Sequence, residues 1–268
     1  MSPSWSDRLH VFIAPGLACG WRTRPWGGVR PGQCWRFGAA AAGDEGRMGA
    51  CDALREILAA AGAHAGIRVI VSNHFARYLV LPWQSVLARP DEQRAFAEHL
   101  FAETVADRAS KWDIRVAQEA SGRPRMASAI DHALIEALHE RIEAAGSKLV
   151  SLQPYLMYAF NAARRRERLD DTWFAVLEPA RVCLGLISGG VWRAVVNSRI
   201  EPACEGVAGL LQLEQARAAA EGLGASSLLL FDPDPVSHGV AVPDGIELRT
   251  ATEPGLAAAL AASPHRPS

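Results

Sequence analysis

Thr172-Trp-Phe-Ala-Val-Leu-Glu-Pro-Ala-Arg-Val-Cys-Leu-Gly-Leu-Ile-Ser-Gly-Gly-Val-Trp-Arg-Ala-Val-Val-Asn197 breaks into three strand-sized apolar segments. Thr172–Leu177, Arg181–Ile187 and Val191–Asn197 form a meander. The Gly189-Gly190 pair between the last two is a hairpin signal, because both glycines tolerate positive φ. Downstream, Val207, Leu210, Leu211 and Glu214 recur at helical spacing within Glu205–Gly222. Ser226–Phe231 is an apolar strand, Ile246–Thr250 another, and Pro254–Ala262 a short Ala/Leu helix. The order is β-β-β-α-β, then β-α.

The amino-terminal half repeats that order. Leu9–Ala14, Cys19–Arg24 and Gln33–Phe37 are divided by Pro15-Gly16 and by Pro25-Trp26-Gly27-Gly28, which read as turns. Gly43, Gly46 and Gly49, spaced G-x-x-G-x-x-G rather than as a dinucleotide fingerprint, read as a flexible loop before a helix over Cys51–Ala61. Ile67–Ser72 is a nearly continuous apolar run, the mark of a strand covered on both faces. An insertion follows, at about 74–121: strand Ala76–Trp83, helix Asp91–Asp107 and strand Trp112–Gln118. After Ser121-Gly-Arg-Pro124 a capped helix is predicted from Ser128 or Asp131 to Ala145, then strand Lys148–Leu152 and a helix within Pro154–Arg168. The chain thus reads as a first domain over 1–152 and a second over 153–268.

Composition narrows the function classes. The 268 residues are 49% hydrophobic and 21% charged, with 28 basic against 29 acidic side chains. A net charge of −1 supplies no overall field for nucleic acid or anionic lipid. Five cysteines without a C-x-x-C pair fit reduced thiols in a cytosol. The apolar runs are shorter than the roughly 20 residues of a membrane span, so the expectation is a soluble cytoplasmic chain reaching a membrane only through a partner.

The duplicated meander-plus-helix unit with an insertion in its first copy resembles the actin-like fold: two ribonuclease-H-like domains, with a small α+β subdomain inserted in the first. Ile67-Arg-Val-Ile-Val-Ser-Asn-His74, Arg77-Tyr-Leu-Val-Leu-Pro-Trp83, the acidic helix and Trp112-Asp-Ile-Arg-Val-Ala-Gln118 are similar to the pattern of the PilM and GspL cytoplasmic-domain family of type IV pilus and type II secretion assembly proteins. That resemblance implies a scaffold that holds a short cytoplasmic peptide of an inner-membrane component, by backbone pairing at a strand edge. It also implies possible self-association. The alternative within the same fold is a nucleotide-binding ATPase or small-molecule kinase.

Active members of the fold grip phosphate with the first hairpin of each domain, using a hydroxyl and a magnesium-organising Asp. Here the first hairpin, Phe12-Ile-Ala-Pro-Gly-Leu-Ala-Cys19, offers Gly16 but no acid or hydroxyl. The second, Val176-Leu-Glu-Pro-Ala-Arg-Val182, offers Glu178 as its only acid. Losing two charge-assisted contacts lowers Mg-ATP affinity by about 10²–10⁴-fold. ATP, held weakly by Gly16 and Glu178, is therefore not the favoured ligand, and neither a catalytic residue nor a metal ligand is assigned. Asp232 and Asp234 read as a turn, His132 and His139 as a solvated helix face, Ser72-Asn73-His74 as a turn rather than a triad, and Arg164-Arg165-Arg166 with Arg168 as a charged helix end. Tyr78, Leu81, Trp83, Phe96, Phe101 and Trp112 crowd an insertion too small to bury them all, so they are the candidates for partner contact.

Overall fold

The computed structural model describes residues 8–24, 29–38, 45–62, 66–87, 89–104, 111–200, 205–232, 240 and 242–263. In chain order, β1 (Arg8–Ala14), β2 (Leu17–Thr23) and β3 (Val29–Gly38) form an antiparallel meander. Helix α1 (Glu45–Ala61) then leads to β4 (Gly66–Val71), which pairs parallel to β1. The chain next makes β5 (Ala76–Leu81), α2 (Pro90–Thr104), β6 (Trp112–Val116) and β7 (Arg125–Asp131), a separate three-stranded sheet in the order β5-β7-β6. Helix α3 (His132–Ala144) and β8 (Lys148–Pro154) complete the first five-stranded sheet, ordered β3-β2-β1-β4-β8.

Helix α4 (Tyr155–Ala163) leads into the second five-stranded sheet. Its strands are β9 (Thr172–Glu178), β10 (Arg181–Ser188), β11 (Val191–Arg199), β12 (Ser227–Phe231) and β13 (Glu247–Ala251), with α5 (Glu205–Ala220) between β11 and β12. The order β11-β10-β9-β12-β13 matches the first sheet position for position. In both, the meander is antiparallel and the last two strands run parallel to the first. The reason is visible in the residues. β1 from Leu9 to Ala14 and β9 from end to end are buried, and strands without a polar face must be sandwiched at a sheet centre. Helix α6 (Pro254–Ala261) ends the described chain.

Two compact units result: Met1–Phe75 with Ala133–Tyr158 and Thr252–Ser268, and Ala76–His132 with Ala159–Ala251. The halves 1–152 and 153–268 follow chain order, and compactness cuts across them. In the first unit α6 lies on β2 and β3. A Cβ on Gly255 would collide with the Trp21 indole, and Arg36 Nη1 donates to the Leu260 carbonyl at 2.8 Å. In the second unit Trp173, Ala175, Val182, Leu184, Leu186, Val207, Leu211, Leu228 and Leu230 make one core. Leu81, Ala97, Phe101, Ile114, Ala127 and Ala129 make the core of the inserted sheet.

Two local expectations are corrected. The helix predicted from Ser128 or Asp131 begins at His132, and Arg125–Asp131 is strand β7, the centre of the inserted sheet. Apolar residues at Met126, Ala127, Ala129 and Ile130 satisfy both periods, and pairing with β5 on one side and β6 on the other decides for the strand. Gly46 and Gly49 lie inside α1 rather than in a loop, while Gly43 falls outside the described residues.

Candidate functional site

The two repeat hairpins are turns of different chemistry. Between β1 and β2, Ala14 pairs with Leu17, and Gly16 takes φ 67°. The flanking Cys19 is buried, and that burial pushes its thiol up to about 12. Between β9 and β10, Glu178 pairs with Arg181 around Pro179-Ala180, with Ala180 at φ 56°. Pro179 supplies no N–H to this turn. Glu178 is buried rather than turned to solvent.

The segments leaving the parallel strands are joints. Ser72 N donates to the Ile13 carbonyl at 2.8 Å, and Ser72 Oγ accepts from the His74 backbone N–H at 3.1 Å. Asn73 Oδ1 accepts from Leu156 N at 3.0 Å, tying the start of α4 to the end of β4. Ser72 and Asn73 are fully buried, so the hydroxyl is engaged in a local turn. Asp232, at the matching exit of β12, is buried, and its N–H donates to the Ala251 carbonyl at 3.1 Å. Asp234 lies outside the described residues. Among the described residues no three His, Cys, Asp or Glu side chains gather as a metal site.

The aromatic candidates separate by burial. Leu81 and Phe101 belong to the inserted sheet's core, Phe96 and Trp112 pack partly buried against it, and Tyr78 is buried. Trp83, just past β5, is 42% exposed, which leaves it as the member of the set on the surface. The sequence reading underestimated the subdomain's capacity because it lacked β7, whose Ala127 and Ala129 form part of the core under α2. Elsewhere, His139 lies 3.7 Å from Glu143 on the solvent side of α3, and Arg164 lies over the Phe160 ring at 5.7 Å. Both are ordinary helix-surface contacts.

Sequence reasoning missed a group of arginines. Arg181 on β10 stands directly opposite Arg199 on β11 and opposite Glu178 on β9, so the three share a row across the sheet. Arg181 Nη1 donates to Asn197 Oδ1 at 2.8 Å, and Asn197 Nδ2 donates to the Ala76 carbonyl of β5 at 3.0 Å. Arg77, the next residue, lies over the Trp112 ring at 5.5 Å. Burial first, then the positive field of Arg77, pulls the Arg181 guanidinium below its ordinary range. Glu178 opposes that effect and Arg199 adds to it. The signal in the sequence was register: only once Arg181 and Arg199 face each other do separated basic residues become a cluster.

No family model and no curated protein matches the sequence. Solved structures do match its shape. The cytoplasmic domain of EpsL, an inner-membrane component of the type II secretion system of Vibrio cholerae, superposes with a TM-score of 0.63 at 13% identity, covering 95% of this chain and 93% of that one. A chain in the PilM–PilN type IV pilus biogenesis complex gives 0.59 at 14% identity, over 93% and 91%. A Bacteroides thetaiotaomicron protein of unknown function, described as having an actin-like ATPase fold, gives 0.57 at 9% identity, over 85% and 82%. The chain has the actin-like fold. Its two five-stranded sheets are the ribonuclease-H-like repeats of that fold, and the β5-β7-β6 sheet interrupts the first repeat in chain order. Among the described residues, no helix of this actin-like chain is long and apolar enough to cross a membrane.

Proposed function

We propose that this actin-like chain is a non-catalytic assembly protein that binds a cytoplasmic segment of an inner-membrane component of a type IV pilus or type II secretion-like machine. The observation that carries the reading is the match along nearly the whole chain to the EpsL cytoplasmic domain and to the PilM–PilN complex. The hairpin chemistry supports it: Gly16 and Glu178 are the groups left where a nucleotide would need a hydroxyl and a metal-organising acid, and Glu178 is buried beside Arg181. The β6 strand, at the edge of the inserted sheet, offers backbone groups for strand addition, and Trp83 offers an exposed aromatic anchor. The protein would sit at the inner membrane through this partner.

Affinity capture from detergent-solubilised membranes tests the reading. A pilus or secretion component should be recovered, and capture should weaken with Trp83→Ala. Isothermal calorimetry separates the alternative of an ATPase or small-molecule kinase. No saturable heat is expected with Mg-ATP up to about 1 mM, and tighter binding would overturn the non-catalytic assignment.

A further inference from the structure

The edge of a sheet is where a fold can pair again, and proteins blunt such edges with bulges, prolines or cover. Among the described strands most edges are blunted. At β3 the pairing slips between Trp21 and Thr23, Pro31 lies inside the strand, and α6 lies on it. At β8 the register slips between Ile67 and Arg68, which leaves Val150 unpaired, and Pro154 ends the strand. β5 and β11 lie against one another. β6 is open, yet its Asp113 and Arg115 already bond each other at 3.0 Å. β13 is the exception: Glu247-Leu-Arg-Thr-Ala251 contains no proline and pairs with β12 without a slip. Its bonding directions are fixed by that parallel pair. Glu247 N donates to the Ser226 carbonyl and the Ala251 carbonyl accepts from Asp232 N, so Glu247, Arg249 and Ala251 turn their backbone groups toward β12. Leu248 and Thr250 turn theirs to the open edge, and both residues are exposed, Leu248 at 38%. Charge is unused there as well. Glu247 is exposed and makes no ion pair among the described residues, while Arg249 gives Nη1 to Glu167 at 2.9 Å.

We propose that β13 pairs antiparallel with β13 of a second copy of this chain, about a two-fold axis at Leu248, joining two five-stranded sheets into one. The strand complements itself in that register and in no neighbouring one. Centred on Leu248, each Glu247 faces the second copy's Arg249, Leu248 faces its own equivalent, and the Thr250 N–H meets the Ile246 carbonyl. The Ile246 N–H is already given to the Pro243 carbonyl at 3.2 Å, which leaves its carbonyl as the group on offer. Leu248 then falls at a hydrogen-bonded pair, as its outward backbone requires, and Glu247 with Arg249 at the closer non-hydrogen-bonded pair, where side chains meet. Centring on Arg249 would set two guanidiniums opposite each other and present backbone groups already committed to β12. Centring on Thr250 would set Glu247 against Glu253. Self-complementary charge is what points to a second copy rather than a different protein. The pairing is independent of the proposed assembly role, which uses β6 and Trp83.

Sedimentation equilibrium of the full chain tests the pairing. A five-residue edge buries far less than a standard interface of about 1,600 Å². The dimer should therefore be weak, half-formed on the order of 100 μM, and weaker still in high salt. Glu247→Arg sets an arginine opposite Arg249 and should weaken association about 10-fold or more. Leu248→Lys should weaken it likewise, with an unchanged melting temperature, because that side chain is exposed. Cysteine trapping under copper–phenanthroline oxidation reads the register without relying on those variants. Leu248→Cys should give a disulfide-linked dimer well above the wild-type level, since facing Cα atoms at such a pair lie about 5.5 Å apart. Thr250→Cys should not, because its equivalent lies several residues away along the paired strand. A chain that stays monomeric at about 1 mM, a Leu248→Lys variant that associates like the wild type, or trapping by Thr250→Cys in place of Leu248→Cys would each overturn the pairing.

Discussion

His10 shows how one residue sets a pH response. Its ring stacks on Trp21 at 5.3 Å, and its Nε2 lies 3.2 Å from Thr23 Oγ1. Burial, then the positive fields of Arg68 and Arg8, lowers its pKa from 6.5 to about 4. Between those values the unfolded chain binds the proton and the folded chain does not, so folding stability rises with pH. The contribution is complete above 6.5, is lost as pH falls, and levels off below about 4. Its full size is about 3 kcal/mol. In urea melts, the stability difference between wild type and His10→Gln should change across this window and stay flat above it. Gly185 is a steric case: a Cβ there would overlap the Trp192 ring, which lies over the strand, and approach the Ala194 carbonyl. Gly185→Ala should cost about 1–3 kcal/mol, the usual penalty for overpacking, read as a lower urea midpoint with an unchanged slope.

Helix α6 draws its start from a side chain. Glu253 holds an extended backbone at φ −105° and its carboxylate accepts from Leu256 N at 2.5 Å, with Pro254 at the first helical position. Glu253→Ala should therefore destabilise the fold by about 1 kcal/mol, seen as a few degrees in the melting temperature. The inserted sheet teaches a different lesson. Its strands β5 and β6 and its helix α2 were legible, because alternation and an acidic helix start are local signals. The central strand β7 was not, because Arg125–Asp131 carries small and apolar residues that suit a helix start equally well until two neighbours offer hydrogen bonds. The burial of Leu81 and Phe101 followed from that missing strand. Their hydrophobicity was evident, but not the partner that covers it.

At the scale of the whole molecule, the chain passes between its two compact units several times, and α6 returns to the first after β13 closes the second sheet. Trp21 is fully buried beneath that helix, with Leu256 and Ala259 buried above it. A chain ending at Ala251 should thus lose roughly 3 kcal/mol or more from re-exposed apolar area. It should also bind a hydrophobic dye that the full chain does not, and an unchanged melting temperature would contradict the packing. Sequence by itself determined the duplicated order of strands and helices, and with it the fold, since unbroken apolar strands and paired glycines carry their meaning locally. It also determined which acids and hydroxyls the hairpins have to offer. Only the tertiary structure decided which residues share a row. Arg77, Arg181 and Arg199 become one charged group through strand register and the approach of β5 to β11, and register is a property of pairs of strands that no single stretch of chain contains.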